Sequence, residues 1–341
     1  MLTYTQMNAE RLRSAGTQTI DLDTLSSVGI GLVRPECVLA TMAGDVYTAD
    51  WRGGVCHLRP DATQQLYLGV APDGIELKPN GIALQRDGAF LVTHLGNDTG
   101  GVFRLDRQGQ IRPWLARVGG TDLPPTNFVV EDRLGRTWVT VSTRRSPRAL
   151  GYRRDCDDGF IVLVDARGAR IVADGLGYTN EVALHPNGQW LYVNETFGRR
   201  LSRFELHADG SLGARETVTE FGAGTFPDGL AFDEEGHAWV VSIVSNRLIR
   251  VAPDGTQTVW LEDADPEHLA TVEAAFEAGT MGRPHLDGVR SKRLRNISSI
   301  AFTGADRRDA LLGCLLGDHL VKVRLPVAGV APTHWGYSST P

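Results

Sequence analysis

Cysteine, methionine and aromatic residues are all scarce in this chain. Of 341 residues, four are cysteine, four are methionine and 7% are aromatic. Cys37, Cys56, Cys156 and Cys314 lie far apart and form no CxxC pair. That spacing argues against a cysteine zinc site or a disulfide framework and fits free thiols in a reducing compartment. No apolar run approaches the roughly 18 residues of a membrane span. The opening stretch MLTYTQMNAERLRSAG has no apolar core of leader length. These absences predict a cytoplasmic protein without a membrane partner. A basic excess is also missing. The net charge is −6 and the pI about 5.9, so nothing is available to neutralise the phosphates of a nucleic-acid partner. There is no G-x-S-x-G elbow, which removes support for an α/β-hydrolase serine mechanism. The glycines from Gly81 to Gly88 open no helix, so they are no dinucleotide fingerprint.

What the chain does have is glycine, 39 residues of it, and 42% hydrophobic content. Five of the glycines are placed regularly. Each follows an acid or an asparagine by eight residues: Glu36/Gly44, Asn80/Gly88, Asn127/Gly135, Asn180/Gly188 and Asp228/Gly236. A short apolar stretch joins each pair, and a second one follows each glycine, as in DVYTAD, AFLVTH, RTWVTV, QWLYVN and HAWVVS. The donors recur at spacings of 44, 47, 53 and 48 residues, the period of a four-stranded propeller blade. A sixth copy places Ser298 in register with Asp228. The pattern predicts an all-β fold, a single six-bladed β-propeller over 1–341. Its blades fall at about 29–75, 76–122, 123–174, 175–222, 223–262 and 295–327. A strand within 29–33 is expected to close the ring. Two insertions interrupt the repeat, at 142–158 and 263–294. The first carries Arg144, Arg145, Arg148, Arg153 and Arg154. The second reads as a helix before the last blade, with Asp265 as cap, Pro266 in the first turn and Gly279 at the stop. Either insertion is a candidate lid.

In a propeller the innermost strands line a central channel. The first residue of each inner strand then lies at one end of that channel. Glu36, Asn127, Asn180 and Asp228 supply only oxygen, and two of them are carboxylates. Such a set suits one hard divalent cation, calcium first, with Mn²⁺, Mg²⁺ or Zn²⁺ as alternatives. Calcium takes six to eight ligands, which leaves positions for water or substrate. Asn80 is either a substrate hydrogen-bonder or a strand residue. His94 and His319 end or follow second strands near the channel mouth, and His94 is the candidate to contact substrate there. His185 and His237 fall in hairpin turns. Glu195 and Thr196 either back the ligands or sit in a solvated loop. The plain alternative for the whole set is that Asp and Asn before glycine are common turn residues.

The segments RPECVLA, LPPTNFVVEDRLGRTWV, GYTNEVALHPNGQWLYVNET and FPDGLAFDEEGHAWVVS resemble the SMP-30/gluconolactonase/luciferin-regenerating family. The resemblance extends over about 29–327. It implies a six-bladed propeller with a divalent cation in the channel and hydrolysis of a small-molecule lactone. It puts metal-binding positions on Glu36, Asn180 and Asp228, and a metal or substrate contact on Asn127. The expected chemistry is a cation polarising the carbonyl while Asp228 assists water attack. Related propellers hydrolyse organophosphates or aryl esters, and a non-catalytic calcium-binding propeller is the reading outside enzymes. One departure stands out. Sugar-lactone members carry an arginine two residues before the channel asparagine, and this chain has Pro125 there. Simple aldonolactones are therefore expected to be poor substrates, and the arginine run 144–154 is a candidate for meeting an anionic substituent.

Overall fold

Each repeat pairs its strands in chain order, because short turns leave consecutive apolar strands no nearer neighbour. The computed structural model describes residues 20–70 and 74–338. The stretch 1–16, read above for a leader, lies outside them. Five four-stranded antiparallel sheets run in simple sequence order, beginning with Val38–Ala40, Val46–Asp50, Gly54–Leu58 and Gln64–Leu68. The sixth sheet takes three strands from the end of the described chain, Ile297–Thr303, Asp309–Cys314 and Leu320–Arg324. Its outermost strand, Ser26–Val28, comes from the beginning. Ser27 lies opposite Val321. Six sheets in a ring make a six-bladed β-propeller, closed by pairing the two ends of the chain.

The closing strand is not the expected one. Residues 29–33 cannot continue it, because Gly29 and Gly31 take φ of 79° and 62°. The chain turns outward there, and Ile30 is 77% exposed. The five turn glycines do what their spacing suggested. Gly44, Gly88, Gly135, Gly188 and Gly236 have φ between 73° and 85°, a region other residues seldom adopt. Each donates its N–H to the carbonyl three residues earlier.

The core lies in the seams between blades. Tyr47, Ile82 and Phe90 fill one seam, and Trp239, Phe302 and Leu312 another. The buried indoles of Trp138 and Trp239 donate to the turn carboxylates of Asp132 (3.1 Å) and Asp233 (2.9 Å), which removes the cost of burying an unpaired N–H. The insertion helix Pro266–Glu277 is capped by Asp265, which accepts from the Glu267 and His268 N–H groups. Its buried face, Val272 and Phe276, packs on Tyr152, Tyr178, Phe197 and Phe226. Among the described residues no helix is long and apolar enough to cross a membrane.

Two features set the inner strands apart. Pairing register breaks at Asn80, Asn127, Asn180, Asp228 and Ser298, so a bulge falls on the leading residue of five inner strands. A bulge rotates one side chain out of the regular alternation and re-aims it. Neighbouring inner strands also pass very close. A Cβ on Gly81 would lie 2.7 Å from Phe128 Cα, and one on Gly229 would lie 2.5 Å from Ser299 Cα. Asn80-Gly81 and Asp228-Gly229 are therefore strand residues at points of contact and not turns. Overpacking of this kind costs about 1–3 kcal/mol. Gly229→Ala should lower the Tm by several degrees in a thermal melt. Gly336→Ala, where a Cβ meets nothing within 4 Å, should leave it nearly unchanged.

Candidate metal centre and chamber

The chain reverses sharply just before three of the inner strands. Arg34, Tyr178 and Asn296 take left-handed φ of 50°, 66° and 61°, each two residues ahead of Glu36, Asn180 and Ser298. Non-glycine residues hold this conformation only when their surroundings enforce it, often at functional sites. With the bulges, these reversals turn the leading side chains toward one point. Glu36, Asn127, Asn180 and Asp228, joined by Thr196, line a single chamber of about 30 Å³. That space holds about two waters. The four donors are 3–6% exposed. Bonds between blades fix the backbone behind them. Ser298 Oγ donates to the Glu36 carbonyl (3.2 Å), and Asn194 Nδ2 donates to the Asp228 carbonyl (3.0 Å). Thr196 Oγ accepts from Asn180 Nδ2 (2.9 Å) and donates to the Pro227 carbonyl (2.8 Å).

The chamber is electrostatically unbalanced. Burial, and then the charge of Glu36, push the Asp228 carboxyl well above the usual carboxylate range, while Arg34, Asn180 and Arg148 pull it back. Asn127 Oδ1 is buried without a hydrogen-bond partner. Two buried acids and an unpaired carbonyl oxygen favour positive charge, part of which Arg34 supplies to Glu36. Among the described residues no three His, Cys, Asp or Glu side chains are grouped to hold a metal, so the amide oxygens are essential to this donor set. Two carboxylates and two amides fit a hard cation with open positions.

Other candidates from the sequence lie elsewhere. Asn80 Nδ2 donates to the Asn127 carbonyl (3.1 Å) and its Oδ1 is buried and unpaired, but Asn80 is outside the chamber lining. His94 is also outside it. Its Nδ1 accepts the Lys78 N–H (3.0 Å), and burial and then Lys78 lower its pKa. His319 pairs with Asp318 (2.8 Å). Glu195 is fully buried and accepts from the Gly177 N–H (2.6 Å) and Ser202 Oγ (2.5 Å), a backbone anchor and not a solvated loop.

Both insertions reach the chamber. Arg148 and Tyr152 come from the first, and Arg283 and Leu286 from the second. The second contributes through the short helix Arg283–Asp287, with Pro266–Glu277 packed behind it. The arginine run does not act together. Arg144 pairs with Asp174, Arg145 with Asp158, Arg153 with Asp155 and Arg154 with Glu277. Of the five, only Arg148 lines the chamber. Arg34, Tyr178 and Arg283 also line it, and sequence reasoning passed over them. Arg34 had one visible signal, its place two residues before Glu36. Glu181 was missed as well. It stands where blades two and five have Gly81 and Gly229. It faces a second cavity of about 770 Å³, walled by Ile82, Phe128, Leu230 and Ile300. Burial pushes its carboxyl well up, and its Oε2 accepts the Leu230 N–H (2.8 Å). Though larger, this cavity contains none of the four oxygen donors.

Known proteins agree with this architecture. A 6-deoxy-6-sulfogluconolactonase from Pseudomonas putida is 32% identical over 176 residues, covering 50% of this chain and 56% of that protein. The chain spans between 55% and 63% of the length of the curated relatives it matches. A gluconolactonase from Xanthomonas campestris superimposes with a TM-score of 0.64 at 20% identity, covering 89% of each chain. A calcium-binding protein, regucalcin, from Agrobacterium tumefaciens does so with 0.62 at 16% identity, covering 92% of this chain and 95% of that one. At such identities these two structures bear on the fold alone. A family model described as the SMP-30/gluconolactonase/LRE-like region matches residues 99–262, within the propeller.

Proposed function

We propose that this protein is a metal-dependent lactonase. The observation that carries the reading is the chamber: two buried carboxylates and two amides, one with an unpaired oxygen, line one small space. The relative named as a sulfogluconolactonase supports lactone chemistry, as does the family region. Four free, buried cysteines are compatible with work in a reducing cytoplasm.

In this reading Glu36, Asn180 and Asp228, with Asn127 beside them, would hold a divalent cation, calcium first. When bound there, a cation would supply Lewis-acid chemistry for a lactone carbonyl. Asp228 has a second carboxylate oxygen and takes the proton of the attacking water. Asn127 presents its amide to the substrate and orients it. Tyr152, Tyr178 and Phe197 exclude bulk water, which strengthens every polar interaction beneath them.

Two outcomes follow. Calcium should raise the Tm of wild-type protein treated first with chelator, by an amount equivalent to about 2.7 kcal/mol at a hundredfold excess over Kd. Glu36→Gln should lose most of that rise. An equal rise in the variant places the cation elsewhere. Asp228→Asn should lower lactone kcat by about 10²–10⁴-fold. The same change removes a buried acid that repels Glu36, so the metal-free variant should melt no lower than metal-free wild type. Near-full turnover in this variant removes Asp228 from proton transfer. Hydrolysis of phosphotriesters or aryl esters without lactone opening moves the function to that class. Cation binding without any hydrolysis leaves a calcium-binding propeller.

A further inference from the structure

Three guanidinium groups from three separate parts of the chain meet over the candidate metal site. Arg34 precedes blade one, Arg148 belongs to the first insertion and Arg283 to the second, and all three line the chamber. Their pairing is incomplete. Arg148 donates to the Tyr178 hydroxyl (3.3 Å) and makes no ion pair with a carboxylate among the described residues, unlike the four other arginines of its loop. Arg34 approaches Glu36 at 3.3 Å through Nη2 alone. Its Nε is buried without a hydrogen-bond partner, and its guanidinium lies 4.2 Å over the Trp51 ring. Arg283 bonds Asp287 on its own short helix through Nε (2.9 Å) and Nη2 (2.8 Å). Arg148 and Arg283 are each within electrostatic reach of Arg34, whose charge both disfavour.

Once Glu36 and Asp228 are committed to a cation, Arg34 and Arg148 have no carboxylate partner left in the chamber, while Arg283 keeps Asp287. Arg34 is buried, where positive charge without a partner is costly, and a fork of N–H donors matches the oxygens of an anion. We propose that Arg34, Arg148 and Arg283 form an anion subsite beside the metal site, and that the lactone opened here carries a carboxylate, sulfonate or phosphate remote from its ring carbonyl. The substrate class rests on the lactonase reading, whereas the anion subsite rests only on the cation being held. Pro125 fits the same picture. Where an arginine is absent from blade three, positive charge enters from the roof, so the polar end of the substrate is read from a different side.

The experiment compares kcat/KM for D-glucono-1,5-lactone with that for its 6-phosphorylated and 6-sulfonated counterparts and for D-glucaro-1,4-lactone. The full chain is used as wild type, Arg148→Gln, Arg148→Lys and Arg283→Gln. Wild type should favour the anionic lactones by about tenfold or more, and the best of the three identifies the anion. The anionic-to-neutral ratio should fall about 10–100-fold in each glutamine variant, the worth of a charge-assisted hydrogen bond. It should fall less in Arg148→Lys, which keeps the charge and loses the fork. A ratio near one in wild type, or a ratio unmoved in all variants, overturns the proposal and leaves the arginines as counter-ions to Glu36 and Asp228. If no lactone is opened, the lactonase reading fails and calorimetry decides the subsite. Inorganic sulfate should bind wild type and bind Arg148→Gln at least about tenfold more weakly. No binding, or equal binding, overturns the subsite.

Discussion

Neighbouring inner strands pass so close around the channel that a methyl group does not fit between them at Gly81 or Gly229. The rest of the architecture depends on this proximity. It holds six bladed sheets in one ring and makes the backbone of one blade the hydrogen-bonding surface of the next. Asn80 reaches the Asn127 carbonyl, Asn194 reaches the Asp228 carbonyl and Ser298 reaches the Glu36 carbonyl. Because these bonds cross between blades, the leading residues are located by the ring as a whole. The apolar seams supply most of the stabilisation, and the inner contacts determine where the side chains point.

The same proximity creates the electrostatic problem at the site. Regular strand alternation would spread the leading side chains between channel and seam. Bulges at five of them, with left-handed backbone before three, concentrate oxygen in a space of about 30 Å³. Burial beneath Tyr152, Tyr178 and Phe197 makes the carboxylates of Glu36 and Asp228 costly neighbours. In the proposed reading a divalent cation would offset that cost and leave the arginines above it in excess. The candidate metal site and the candidate anion subsite are thus two consequences of one charge balance.

Much of this was legible in the sequence, for physical reasons that differ by element. Turn glycines must occupy positive φ, so Gly44 through Gly236 marked the repeat, and the repeat marked the ring. The leading donors were visible because they stand at a constant offset from those glycines. The closing strand was misplaced because Ser26–Val28 is short and polar, as the outermost strand of a blade can be, whereas the more apolar 29–33 contains two glycines that end it. Arg34 and Arg283 carry no local signal of their meeting, which depends on where a loop and a five-residue helix fold back over the ring. Arg148 could not be told from its four loop neighbours until their acidic partners, some distant in sequence, were located. Glu181 looked like an ordinary strand residue, and only the ring shows that its position faces the channel.

The central claim is that the ring of oxygen donors holds one divalent cation. A crystal structure of the full chain grown with Mn²⁺, with anomalous data to locate the metal, tests it most directly. The account predicts one strong peak in the chamber, coordinated by oxygens of Glu36, Asn180 and Asp228, with Asn127 a ligand or one water away. Direct Ca²⁺–oxygen bonds would be about 2.3–2.6 Å in the corresponding calcium form. A chamber without a peak, or a metal bound only at another place, would contradict it.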